Sequence, residues 1–303
     1  MFESSANVEA TFKSKDTEES IDILFYRPVG YRLALFSEKL NLTPNTITVI
    51  SIFWGILAGH LFYYQELYVN VVGMLFLIFA NALDSADGQL ARITNTRTKL
   101  GRFLDGLAGN LWFVSIYIHL CLRIIAEGGS LWIFGLALVV GVFHSFQSAM
   151  ADYYRNAYLY FVEGKSKGEV DSSSNLKKEY KAASWKTDFV NKLFLRLYLN
   201  YTNQQELLSS NLQKLYIAAD EKFGDKIPKW FKEKFRKMNK PLMKYCNILT
   251  TNTRMIVLFI SIFLDYVLLY FLFELTLLNL LLVYLVFKQE SISKKLISDI
   301  ESV

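Results

Sequence analysis

The stretch VNVVGMLFLIFANALDSADGQLAR, running from Val69 to Arg92, decides the fold. Its first fifteen residues, Val69 to Leu83, carry no charge, whereas the remainder carries Asp84, Asp87 and Arg92. A membrane-crossing helix needs about 20 apolar residues, so this run reaches full length only by recruiting polar turns at its ends. The reading is a transmembrane helix that ends in two carboxylates.

The neighbouring sequence repeats the first half of that pattern. Thr46 to Tyr64, Gly106 to Leu122 and Gly128 to Ala151 are also free of charge, and Thr43-Pro44-Asn45 supplies a helix-start signal before the first of them. The fourth run continues through Asp152 and Arg155 towards Val162, so its helix is predicted to project beyond the bilayer. The last block, Met255 to Phe287, is long enough for two spans but has no Gly or Pro at the turn. Either Asp265 or Glu274 marks it, and the other is then an acid within the membrane. The fold class is therefore all-α, a polytopic membrane protein with six transmembrane helices.

Composition agrees. Of 303 residues 52% are hydrophobic and 16% aromatic, and the mean hydropathy is +0.23. This excludes a disordered, collagen-like or disulfide-scaffold chain. Cys121 and Cys246 stand apart in sequence as free thiols. The residues Met1 to Ser5 lack the basic-then-apolar pattern of a cleaved signal peptide, so insertion is expected to rely on the first span.

Charge sets the expected orientation. Arg27, Arg32 and Lys39 precede the first span, and Arg92, Arg97, Lys99 and Arg102 follow the second. The segment Gly164 to Arg254 holds 19 Lys and Arg against 9 Asp and Glu, within a chain whose net charge is +5. The opposite loops, around Gln65-Glu66 and Glu127-Gly128, have Arg123 as their one basic residue. By the positive-inside rule both termini are cytoplasmic, which also removes the Asn-x-Thr sites at Asn41 and Asn200 from glycosylation.

The predicted organisation is a cytoplasmic N-terminal segment over 1–41, four spans over 42–163, a basic cytoplasmic insertion over 164–250, and two spans with a tail over 251–303. Two cytoplasmic interfacial helices are expected. Tyr31 to Leu40 has apolar residues at helical spacing. Between Pro228 and Pro241, Phe231, Phe235 and Met238 share a face with lysines elsewhere, a pattern that suits the membrane surface or a helix packed on its own domain. Ser166 to Asn175 reads as a linker.

The chemistry lies in Asp84-Ser85-Ala86-Asp87-Gly88-Gln89-Leu90-Ala91-Arg92, followed by Gly101 and Asp105. Asp84, Asp87 and Ala91 stand at i, i+3 and i+7 on one helical face. Asp105 opens the next, antiparallel span and can face that pair. Three converging carboxylates repel one another unless a cation neutralises them, and hard oxygen ligands suit Mg²⁺ or Mn²⁺. Gly88 and Ala91 leave room beside the metal for a flat, bulky group.

The pattern D-x2-D-G-x2-A-R-x8-G-x3-D resembles the signature of the CDP-alcohol phosphotransferases through Asp84, Asp87, Gly88, Ala91, Arg92, Gly101 and Asp105. The likeness covers roughly Arg27 to Val162. It implies an enzyme of phospholipid synthesis that displaces CMP from a CDP-linked donor by attack of an alcohol acceptor, with the lipid bilayer rather than nucleic acid as its setting. The family often forms dimers. Carried over, Asp84, Asp87 and Asp105 hold the metal ions on the pyrophosphate, and Asp84, Gly88, Ala91, Arg92 and Gly101 line the nucleotide site.

The chain departs from the pattern at its fourth acid, the family's proposed general base, where Gly109 stands with Asn110 beside it. A local bulge at Gly106 and Gly109 is one way to swing Asn110 into place, although an amide cannot take a proton. On the fourth span His144, Gln147, Ser148, Ala151 and Arg155 follow one face with Asp152 beside it. Arg155 and His144 are candidates for acceptor or phosphate binding, and Asp152 or His144 for the base. Interhelical hydrogen bonding is the alternative reading of that stripe. A relative that binds metal and CDP-alcohol without turnover is the second functional expectation.

Overall fold

The computed structural model describes residues 14–96, 98–165, 167–168, 171–224 and 226–302, with the backbone alone at 99, 100, 102, 103 and 105. Twelve α-helices account for most of it, and there is no strand among the described residues. A π-helical turn, Asp22–Tyr26, leads into α1 (Arg27–Lys39). Then come α2 (Pro44–Leu61), α3 (Leu67–Ile93), α4 (Lys99–Ala126) and α5 (Ile133–Tyr158), the last extended by a π-turn at Leu159–Glu163. Next are α6 (Ser173–Ala182), α7 (Phe189–Leu208), α8 (Ser210–Phe223) and α9 (Lys229–Ile248). After α10 (Thr251–Phe263), α11 (Leu268–Phe273) and a π-turn at Glu274–Leu278, α12 (Asn279–Glu301) ends the chain. Six of the helical segments are long and apolar enough to cross a membrane, as predicted: Pro44–Leu61, Leu67–Ile93, Gly106–Ala126, Ile133–Glu163, Lys229–Phe263 and Leu268–Glu301.

The described chain divides into two units. The first takes in Glu18–Phe143 and Arg254–Leu275, and the second His144–Thr253 with the described residues of 13–17 and 276–303. The expected insertion over 164–250 thus belongs to a larger unit that also holds the second half of α5 and all of α12.

In the first unit α2 packs against both α3 and α4. Small residues permit the approach. A Cβ on Gly55 would overlap the Trp112 indole, and one on Gly59 would come within 2.8 Å of the Ile116 amide nitrogen. Such small-residue seams are how helices associate in lipid, where no hydrophobic force favours contact between them. Around the seam Phe62, Leu77, Trp112, Ile116, Leu258 and Phe271 build one buried cluster.

The turn left open by the sequence lies at Asp265, whose φ of 50° is left-handed. Its carboxylate accepts from Arg123 Nη2 at 2.7 Å. Arg123, buried, also donates to the Tyr64 carbonyl at 3.1 Å and to Glu127 at 3.2 Å, so the one basic residue of those loops ties three of them together. Glu274 is accordingly the acid inside the span. It is 1% exposed, 3.5 Å from Arg254, and accepts hydrogen bonds from Tyr117 (2.8 Å) and Tyr270.

In the second unit Pro241 lies inside α9. Of the two readings of the α9 apolar face, packing on protein holds: Phe231 and Phe235 are buried against Phe161 and Phe223. The predicted linker is also partly structured: Ser172 caps α6, its Oγ accepting from the Ser174 amide at 3.2 Å, while residues 166, 169 and 170 lie outside the described residues. In the first unit α1 packs on α3 through Gly30, Ala34 and Ser37 and exposes Phe36 and Leu40 on its other side.

The segment 14–17 is bound to the second unit through Asp16. Its carboxylate receives Lys240 Nζ at 2.7 Å, Arg236 at 2.8 Å and Tyr158 Oη at 2.7 Å. Desolvation raises its pKa, but the bonds from Lys240 and Tyr158 and the Arg236 charge outweigh this and hold the carboxyl below its ordinary 3.8. A depressed folded-state pKa stabilises the fold above the unfolded value and is lost as pH falls through the folded one. Asp16→Asn is therefore expected to lower the melting temperature at neutral pH, and the difference from wild type to shrink away below about pH 3.8.

The Arg254–Glu274 pair gives a second expectation. Removing one partner of a buried pair costs about 3–5 kcal/mol, whereas replacing both by apolar residues is often neutral. Unfolding in detergent should show Glu274→Leu strongly destabilised and the double variant Arg254→Met, Glu274→Leu largely restored.

Candidate active site

The acidic motif occupies the end of α3 and the start of α4. Thr98 caps α4, its Oγ1 accepting from the Gly101 amide at 2.9 Å, and the turn before it uses Asn95 with φ of 55°. This short connection brings α4 back antiparallel within four residues of Thr94, the C-cap of α3. Thr43 caps α2 in the same way, accepting from the Thr46 amide at 3.2 Å, with Pro44 in the first turn.

Asp84, Asp87, Gly88, Ala91 and Arg92 all lie on α3, and Gly101 and Asp105 on α4, within the first unit. Asp87 is 3% exposed and accepts a hydrogen bond from Thr48 Oγ1 on α2. Asp84 is half-buried one turn before it. The Arg92 guanidinium folds back over Gly88, where a Cβ would stand 3.5 Å from it. Gly101 lies against Asn45, since a Cβ there would be 3.1 Å from the Asn45 Oδ1. Gly101 thus admits the N-terminal end of α2 to the motif.

Sequence reasoning missed three contributors to this arrangement. Thr48 and Asn45 were visible as part of a helix start that resembles the family's, with no role of their own, yet they touch Asp87 and Gly101. Gln89, fully buried, donates to the Arg27 carbonyl at 3.1 Å and to Ser85 Oγ at 3.2 Å, which fixes α1 on the motif helix. A polar residue at a position that the α3 periodicity assigns to the core was the available signal.

The expected bulge is absent: α4 is an unbroken α-helix through Gly106 and Gly109. Asn110 is exposed and its amide donates to the Gly106 carbonyl at 2.8 Å, one turn back on its own helix. The i→i−4 ladder satisfies the backbone without a bulge, so Asn110 stays rotated away from the Asp105 direction. A Cβ on Gly106 or Gly109 would meet nothing within 4 Å among the described residues, so that face of α4 borders open space.

His144, Asp152 and Arg155 lie on the second half of α5 and belong to the second unit. Asp152 accepts from Asn156 at 3.1 Å and from Tyr201 Oη at 3.2 Å. Burial, followed by the Asp152 charge, holds the Tyr201 hydroxyl well above its ordinary pKa, so it remains the donor. His144 is buried, and its neighbour on the stripe, Gln147, donates to Asn279 at 2.8 Å.

Removing the hydroxyl beside a buried carboxylate costs about 1–3 kcal/mol. Thr48→Val should therefore lower stability in detergent by that order while Thr48→Ser stays near wild type, read by thermal unfolding.

Residues 41–168 match the CDP-alcohol phosphatidyltransferase family. Over 99 residues, 31% of this chain and 49% of the relative, the sequence is 35% identical to an uncharacterized protein of Aquifex aeolicus. Over 91 residues, 30% of this chain and 47% of the relative, it is 35% identical to the archaetidylinositol phosphate synthase of Pyrococcus horikoshii. Over 76 residues, 25% of this chain and 31% of the relative, it is 36% identical to a CDP-diacylglycerol–serine O-phosphatidyltransferase of Helicobacter pylori. The chain thus spans about half the length of the first two relatives and about a third of the last. No solved structure matches it significantly. The motif on α3 and α4 and its spacing fall within the residues, 41–168, that match the CDP-alcohol phosphatidyltransferase family.

Proposed function

We propose that this protein is a membrane CDP-alcohol phosphotransferase of phospholipid synthesis, transferring a substituted phosphate from a CDP-linked lipid to an alcohol with release of CMP. The observation that carries the reading is the arrangement of Asp84 and Asp87 on one face of α3 with Asp105 on the returning α4, inside the segment that matches the family. CDP-diacylglycerol is the donor we favour, by analogy with the Helicobacter CDP-diacylglycerol–serine O-phosphatidyltransferase. A small polar alcohol such as inositol phosphate or glycerol phosphate is the corresponding acceptor. By the positive-inside reading of the loops, this site faces the cytoplasm, where a CDP-linked substrate arrives.

Mg²⁺ or Mn²⁺ is the ion we favour, because carboxylates such as those of Asp84 and Asp87 are hard oxygen ligands. Asp84, Asp87 and Asp105 would hold the ion, which when bound offsets the negative charge developing on the departing phosphate. Thr48 orients the Asp87 carboxylate. Gly88, with no side chain, and Ala91, with a small one, leave the face of α3 open to a nucleotide, and Arg92 lies beside them to meet its charge. In the transfer the acceptor oxygen forms a new bond to the lipid-bearing phosphorus, the pyrophosphate P–O bond breaks, and CMP leaves with the electron pair.

The hydroxyl proton needs an acceptor, and Asn110 is not one: its amide is bonded to the Gly106 carbonyl. This favours a second reading, in which the chain binds CDP-alcohol and metal with little turnover. On the first reading a group other than Asn110 takes the proton.

The purified protein with Mg²⁺ or Mn²⁺ should release CMP from CDP-diacylglycerol when offered a panel of alcohols, and Asp87→Asn should abolish release. Gly109→Asp separates the two readings. A gain approaching the ~10²–10⁴-fold worth of a general base means that the native site lacks one, and an unchanged rate assigns the proton to another group. No CMP release from wild type or Gly109→Asp with any donor or acceptor would refute the enzymatic reading.

A further inference from the structure

Among the described helices that are not spans, α7 in the second unit exposes the longest apolar stripe. Phe189 is 58% exposed, Val190 68%, Leu193 39% and Leu197 42%, and Trp185 just before the helix is 41% exposed. At ~100° per residue, positions 189, 193 and 197 form one stripe, with Val190 on its flank. The opposite face is spent within the protein: Phe194, Leu195, Thr202 and Gln205 are buried, and the Lys192 ammonium donates to the carbonyls of Tyr180 and Ala183. Exposure of Trp, Phe, Val and two Leu along one stripe of a helix is unusual where water is the neighbour.

The other half of α7 shows where the helix is moored. Gln204 accepts from Ser145 Oγ at 3.0 Å, and Gln205 donates to the Ala149 carbonyl at 3.1 Å. Tyr201 donates to Asp152 at 3.2 Å. Ser145 and Ala149 belong to the charge-free run of α5, and Asp152 is the first charge after it. The end of α7 is therefore fixed at the depth at which α5 leaves the apolar layer. From Tyr201 back to Leu197, the near end of the stripe, is four residues, about 6 Å along the helix, so the apolar stripe begins within about 6 Å of that level.

Charge identifies what covers the stripe. Lys186 and Arg196 are exposed beside it, and α6, which packs on α7, adds the exposed Lys177, Lys178 and Lys181. Against these five cations, Glu179 and Asp188 are the exposed acids of the same stretch, so the surroundings of the stripe are basic. A Trp at the end of an apolar stripe, bordered by cations, is the composition of a helix lying in the headgroup layer of an anionic leaflet. α7 is not among the six helices apolar enough to cross the membrane. We propose that α7 lies in the bilayer interface, with Trp185, Phe189, Val190, Leu193 and Leu197 dipping into the boundary between headgroups and acyl chains and Lys186 and Arg196 meeting lipid phosphates. The insertion then holds on to the membrane through α7, not through α9, whose apolar face is closed by protein.

The test places a nitroxide label on the full-length protein in phosphatidylglycerol nanodiscs, at Leu193→Cys, at Leu197→Cys and, as reference, at Asn191→Cys, an exposed position turned about 120–160° round the helix from those two. Native Cys121 and Cys246 are buried and do not compete for the label. All three substitutions alter exposed side chains, and an unchanged melting temperature certifies the fold. The label at 193 and 197 should show an oxygen-to-nickel-chelate accessibility ratio several-fold above that at 191. Equal ratios at the three positions would overturn the proposal. So would protection at 193 and 197 accompanied by dipolar broadening between labels, since the stripe would then be covered by a second copy of the chain.

Discussion

The architecture rests on the close approach of α2 to α4 at Gly55 and Gly59. Lipid gives two helices no hydrophobic reason to prefer each other, so contact must come from shape. Two glycines one helical turn apart let the Trp112 ring and the Ile116 backbone lie against α2 with no side chain between. Because α2 also packs on α3, that seam sets the distance between the two helices that carry the acids. The same registration places Thr48 on Asp87 and Asn45 beside Gly101.

Two buried charged side chains of the first unit are paired, one within a span and one at the loops. Glu274 is surrounded by Arg254, Tyr117 and Tyr270, and Arg123 gathers Tyr64, Glu127 and Asp265 at one end of the first unit. Each group couples an early span to the hairpin of α10 and α11. Leaving such a charge without its counterion in a dry interior is expensive, so these pairs act as register marks for helices whose apolar surfaces alone could slide.

The motif residues were legible because their chemistry needs fixed spacing along two helices joined by a short turn. The i, i+3 relation of Asp84 and Asp87 follows from helical geometry whatever surrounds it. What surrounds them was not legible. Thr48 is distant in sequence and looks like any threonine near a helix start, and its hydrogen bond to Asp87 exists only once α2 packs on α3. A bulge at Gly106 and Gly109 is one way the sequence offers to swing Asn110 into the place of the missing acid, but an α-helix keeps its own ladder unless something inserts into it, and the Asn110 amide closes onto Gly106 instead.

The sequence by itself determined six apolar segments, their short connections and the spacing of the motif aspartates, because span length and motif spacing are local properties of a helix. Tertiary structure decided which of Asp265 and Glu274 turns the chain, since both are acids in the same apolar block and only their partners distinguish them. It also decided which amphipathic helix is closed and which remains open. Periodicity reports that α7 and α9 each have an apolar face, but lipid and protein interior satisfy such a face equally well. Only the packed fold shows that Phe231 and Phe235 of α9 are covered by aromatic rings while Phe189 and Leu193 of α7 are not.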